Sequence, residues 1–69
     1  LFDLDHIFSY HAPTPDKLVQ YEKLRSAAKE FAKAIVELSP AGADQSAAIR
    51  HVREAVMTAN AAVALDGRI

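Results

Sequence analysis

Two runs of apolar residues recur at helical spacing on either side of one short breaker, and this arrangement constrains the fold more than any other feature. In the first run, Tyr21, Leu24, Ala28, Phe31, Ile35 and Leu38 recur at intervals of 3-4-3-4-3. In the second, Ile49, Val52, Val56, Ala59 and Val63 recur at 3-4-3-4. Alternating steps of three and four lay side chains along one stripe of a helix, the kind of seam used in antiparallel pairs and bundles. Between the runs lies Ser39-Pro40-Ala41-Gly42-Ala43, a five-residue connection, which favours antiparallel neighbours. The predicted fold is all-α: a short N-terminal helix followed by an antiparallel αα-hairpin.

Local signals set the expected boundaries. Thr14 is placed to cap a helix over residues 15–38. Pro15 fits its first position, where a missing N–H costs nothing, and Asp16 complements the positive end of the helix dipole. Pro40 disfavours helical geometry at Ser39 and ends that helix. Asp44 is the expected N-cap of a second helix over residues 44–65, and Gly67 sits where a left-handed C′ residue is wanted. Residues 1–9 form a separate apolar-acidic segment, closed by His11-Ala12-Pro13-Thr14-Pro15. The whole of 1–69 reads as one helical hairpin domain.

One hairpin offers little core. The second helix carries Ala47, Ala48, Ala55, Ala59, Ala61, Ala62 and Ala64. Alanine favours helix and lets backbones approach closely, but each buries little area at about 25 cal/mol per Å². Chains below ~70 residues seldom stabilise themselves on a single seam without a staple. The 69 residues include no cysteine, so disulfides, thiolate zinc sites and thiol nucleophiles are excluded, in keeping with a reducing cytosol. The hairpin is therefore expected to complete its core in a homo-oligomer. The alanine-rich face and Phe2, Leu4, Ile7 and Phe8 are expected in the contacts between subunits.

The charge balance argues against several partners. Eight Lys+Arg against nine Asp+Glu leave a net charge of −1, poorly suited to non-specific DNA binding. The longest uncharged stretch, between Glu54 and Asp66, is eleven residues, too short to span a bilayer. No basic segment precedes an apolar one at the start, so no signal peptide is expected. His6, His11 and His51 lack metal-ligand spacing, and surface or interface positions are the simpler reading. The serines lie in no nucleophile elbow, and Gly42 and Gly67 make no phosphate loop. Asp3 and Asp5 read as solvated charges. No catalytic constellation, metal or cofactor is expected.

Binding chemistry is better represented. Arg25, Lys29 and Lys33 stack at i, i+4 and i+8, either as a solvated stripe offset by Glu22, Glu30 and Glu37 or as an anion-binding column. Arg50 and Glu54 are spaced for an intrahelical pair. Arg53, Met57 and Asn60 share a stripe, and a buried Asn60 needs a partner from backbone or another subunit. Tyr10 precedes the proline-stiffened His11-Ala12-Pro13 corner. Its ring either packs over the start of the first long helix or stacks on a nucleobase.

Three stretches together resemble a known family: Tyr10-His11-Ala12-Pro13-Thr14-Pro15, Tyr21-Glu22-Lys23-Leu24-Arg25, and Asp44 through Ala62, whose Arg50–Ala62 part is the most distinctive. The chain resembles the small phage anti-CBASS sponge proteins, whose helical hairpin domain is shared with anti-Thoeris sponges. The resemblance implies a non-enzymatic role in the cytoplasm of an infected bacterium. Cyclic oligonucleotide messengers would be sequestered intact, so that a CBASS effector stays silent. It implies a homohexamer holding cyclic dinucleotides such as cGAMP between pairs of protomers and cyclic trinucleotides where three meet. By position, Tyr10 would be the stacking tyrosine, beside His11 and Pro13. Arg25, or failing it Lys29, would contact phosphate; arginine here allows bidentate contact where the family has lysine. Arg53 and Arg68 are the candidates for the three-protomer pocket. An RNA-binding hairpin dimer of the Rop type, using Arg25, Lys29 and Lys33, is the alternative.

Overall fold

The structure is a computed structural model and describes residues 2–68; Leu1 and Ile69, the ends of the expected domain, lie outside them. Three helices follow in order: α1 (Leu4–Ile7), α2 (Pro15–Leu38) and α3 (Ala43–Ala64). Among the described residues there is no strand.

α2 starts where its capping residues dictate. Thr14 is extended, its hydroxyl accepts from the Lys17 N–H at 3.2 Å, and Pro15 occupies the first turn. Thr14→Ala is expected to cost about 1 kcal/mol, read as a lower thermal midpoint with the helical spectrum unchanged. The helix stops at Ser39, whose backbone turns extended before Pro40. α3 begins earlier than expected. Gly42, not Asp44, is the N-cap and offers no side-chain bond, while Asp44 lies in the first turn and complements the dipole. Its far end also departs from expectation by one position. Asp66, at φ +55°, is the left-handed C′ residue and Gly67, at φ +74°, follows it. The Gly67 N–H reaches the Ala62 carbonyl at 2.9 Å and the Asp66 N–H reaches Val63 at 3.3 Å, the paired bonds of a Schellman end.

α2 and α3 pack as an antiparallel hairpin in which each helix caps the other. At one end Gln45 donates to the Ser39 carbonyl at 2.9 Å. At the other, Lys17 donates to the Ala64 carbonyl at 3.4 Å and pairs with Asp66 at 3.1 Å. Carbonyls left over at a helix C-terminus carry negative character, so a lysine is well placed there.

The seam differs from its expected course on α2. Tyr21, Leu24, Ala28 and Ile35 are half-buried, but Phe31 and Leu38 are 60% and 85% exposed. Ala32 and Ser39 take the inward places. An α-helix turns every 3.6 residues, so a strict 3.5 repeat drifts off the seam, and a second four-residue step after Ala28 restores it. On α3 all five expected seam residues are half-buried. No described residue is fully buried. The molecule measures 43 × 28 × 15 Å, and its least dimension is little more than the roughly 10–12 Å of one helix with side chains. It is a single layer.

Candidate ligand-binding site

Three surfaces of this layer differ in chemistry: an end built from the N-terminal segment, a cationic flank and an apolar groove. The end is organised by α1. Asp3 caps it, accepting from the His6 N–H at 3.1 Å, and also pairs with Arg68 at 3.2 Å. Asp3 is therefore a cap and an ion-pair partner, not the merely solvated charge expected. The Ser9 hydroxyl donates to the Asp5 carbonyl and closes the segment. His6 and His11 meet edge to face, with ring centroids 4.7 Å apart and planes at 71°. His11 Nε2 lies 2.6 Å from the His6 carbonyl, and His6 Nε2 lies 3.1 Å from the Leu65 carbonyl. A carbonyl only accepts, so both Nε2 atoms carry the proton and donate. Between these fixed points Tyr10 stands 87% exposed, and Pro13 is exposed in the run leading to α2. Tyr10 does not pack over the start of the helix.

Arg25 and Lys29 on α2 and Arg53 on α3 are all exposed. Among the described residues none pairs with a carboxylate, whereas Lys33 meets Glu30 at 3.9 Å. Glu54 lies 3.6 Å from His51 rather than pairing with Arg50 as its spacing suggested. The contacts at the two ends of the hairpin set a register that places Lys29 level with Arg53. At about 100° of rotation per residue, Arg25, Lys29 and Arg53 fall on one flank of the seam. Asn60 shares that flank. Its Oδ1 is enclosed and has no hydrogen-bond partner among the described residues, so of the two expected partners, backbone or another subunit, the backbone does not satisfy it.

The opposite flank is a groove of about 590 Å³ between the helices, lined by Leu24, Phe31, Ile35, Val52, Val56 and several alanines, with His51 at its side. A hollow of about 390 Å³ lies over Val19, Glu22, Lys23 and Ser26. Neither contains Tyr10, His11, Pro13, Arg25, Lys29, Arg53 or Arg68. Within one protomer Pro15 and Arg25 are ten residues apart, about 15 Å along the helix. The chain thus brings Arg25, Lys29 and Arg53 to one flank and Tyr10, His11, Pro13 and Arg68 to one end, without closing a cavity around either group. Arg68 is engaged by Asp3. The contributions of Asp3 and His6 escaped the sequence because their partners Arg68 and Leu65 lie 65 and 59 residues away.

Among the described residues no three His, Asp or Glu side chains converge as metal ligands, and no helix is long and apolar enough to cross a membrane. What the fold and the surface define is a small helical hairpin with an exposed cationic flank and one projecting tyrosine. The family described as Acb2/Tad1, hairpin domain, matches residues 3–64. The chain belongs to that family, the anti-CBASS and anti-Thoeris sponges, which are binding proteins rather than enzymes. Comparison with curated proteins gives no match, and comparison with solved structures gives none.

Proposed function

We infer that this protein captures cyclic oligonucleotide messengers of a bacterial immune system and holds them uncleaved, keeping a CBASS effector inactive in the cytoplasm of an infected host. The family match over residues 3–64 carries this reading. The single-layer hairpin supports the form it takes. Its apolar groove needs a cover, and its two groups of polar residues need a neighbouring copy to become a pocket. A homohexamer supplies both.

A cyclic dinucleotide is a rigid dianion with approximate two-fold symmetry. A two-fold interface presents each side chain twice, so one Tyr10 and one Arg25 per protomer furnish two stacking faces and two phosphate contacts. Lys29, one turn from Arg25, extends the cationic column, and His11 and Pro13 shape the corner. Cyclic trinucleotides occupy a second pocket where three protomers meet, reached by Arg53 and Arg68. No proton transfer or metal is required, because sequestration needs affinity and copies rather than turnover.

The test is to incubate the protein with 3′,3′-cGAMP, remove free nucleotide, digest the protein with protease and identify what is released. Intact cGAMP is the expected product. Linearised nucleotide would mean an enzyme, and no retained cyclic dinucleotide or trinucleotide would end the proposal. Sedimentation is expected to give six chains per particle; a dimer that retains RNA would favour the Rop-type alternative.

A further inference from the structure

We propose that His6 is a positioning residue for ligand capture, and that His11 acts with it by holding the Tyr10 corner rather than by touching ligand; this rests on the reading above. Residues 10–14 join α1 to α2 outside any helix, so without side-chain ties the Tyr10 corner would have no fixed place against the hairpin. Ordering this N-terminal arm during binding would cost backbone entropy and weaken capture. The structure ties it down beforehand. His6 Nε2 donates to the Leu65 carbonyl at 3.1 Å, just beyond the end of α3. His11 Nε2 donates to the His6 carbonyl at 2.6 Å, and the two rings lie 4.7 Å apart, edge to face. Tyr10 is adjacent to His11 and is left 87% exposed. His11 spends its donor on backbone and one ring edge on His6, and it is half-buried, which suits a brace better than a contact residue. The ion pair of Asp3 with Arg68 at 3.2 Å is a second tie between the same two ends.

The test compares His6→Leu with His6→Gln in the full chain. Glutamine places an N–H donor near the position of Nε2, whereas leucine keeps apolar bulk and loses the donor. Binding of 3′,3′-cGAMP is read by calorimetry, amide exchange over residues 4–12 without ligand, and particle mass by light scattering. His6→Leu is expected to weaken binding roughly tenfold and to speed exchange over the arm, with particle mass unchanged. His6→Gln is expected to return the affinity to within about threefold of wild type. Wild-type affinity in His6→Leu would overturn the proposal while leaving sequestration intact, and so would a loss that glutamine does not rescue. If the wild-type chain binds no cyclic nucleotide, sequestration and positioning fall together, an outcome distinct from either of the others.

Discussion

Tyr10→Ala is expected to abolish useful capture of cyclic dinucleotides while leaving the particle whole. Stacking of a base on an aromatic face is worth roughly 1–3 kcal/mol. In a two-fold site each ligand loses two such contacts, so affinity falls at least ~30-fold. The side chain is 87% exposed and contributes little to packing within the hairpin. Circular dichroism and particle mass should therefore match wild type, and Tyr10→Phe should bind normally. Calorimetry with 3′,3′-cGAMP checks both. Unchanged affinity in Tyr10→Ala would remove the tyrosine from the site and shift attention to the Arg25–Lys29 column.

The second large effect is expected from Ala55→Glu. Ala55 is exposed in the single hairpin yet lines the apolar groove. Glutamate is a good helix former, so the isolated helix tolerates it. In an assembly that covers the groove, each copy would bury an unpaired carboxylate, at a cost of several kcal/mol. Sedimentation velocity should show the particle falling to small species, with at least a ~100-fold rise in the protein concentration needed to reassemble it. Helicity should fall on dilution because a single layer lacks a core. Full-mass particles of Ala55→Glu would mean that copies meet on another face.

The parts of this molecule that a reader of the sequence could find are those written in neighbouring residues. Thr14, Pro15 and Asp16 lie within one turn of the end they specify, and Pro40 acts on the residue before it. The α3 seam is legible for the same reason: Ile49, Val52, Val56, Ala59 and Val63 hold one stripe over a span short enough that drift does not matter. On α2 the stripe is longer, and its course turns on whether Phe31 or Ala32 faces inward. Hydrophobicity favours phenylalanine, but the rotation of the helix favours alanine, and rotation prevails. The outward Phe31 then lines the groove. Asp44 looked like a cap because its side chain suits one, yet α3 begins a turn-fraction sooner and uses the same carboxylate against the dipole.

The sequence offers candidate residues for a site but not their arrangement. Tyr10 beside a proline corner and three cations at helical spacing are visible in one dimension. The His6–Leu65 and Asp3–Arg68 ties are not, since they depend on the hairpin returning α3 to the start of the chain. Arg68 is the clearest example. The resemblance makes it a candidate for the three-protomer pocket, but in the folded chain it is held by Asp3. A ligand that recruits it must displace that carboxylate.

If copies cover one another as proposed, a hairpin with no described residue shut away from water has a stability that belongs to the population rather than to the molecule. Each additional copy would pull the equilibrium toward order by mass action, and a messenger lodged between copies would pull it further. On the proposed reading, a phage producing this protein faces a dose threshold: sparse chains neither hold their shape nor trap signal, whereas beyond a critical abundance both abilities arrive together. The inhibitor would then behave as a titrant with a sharp onset, one whose melting temperature climbs with its own concentration and again with the nucleotide it removes.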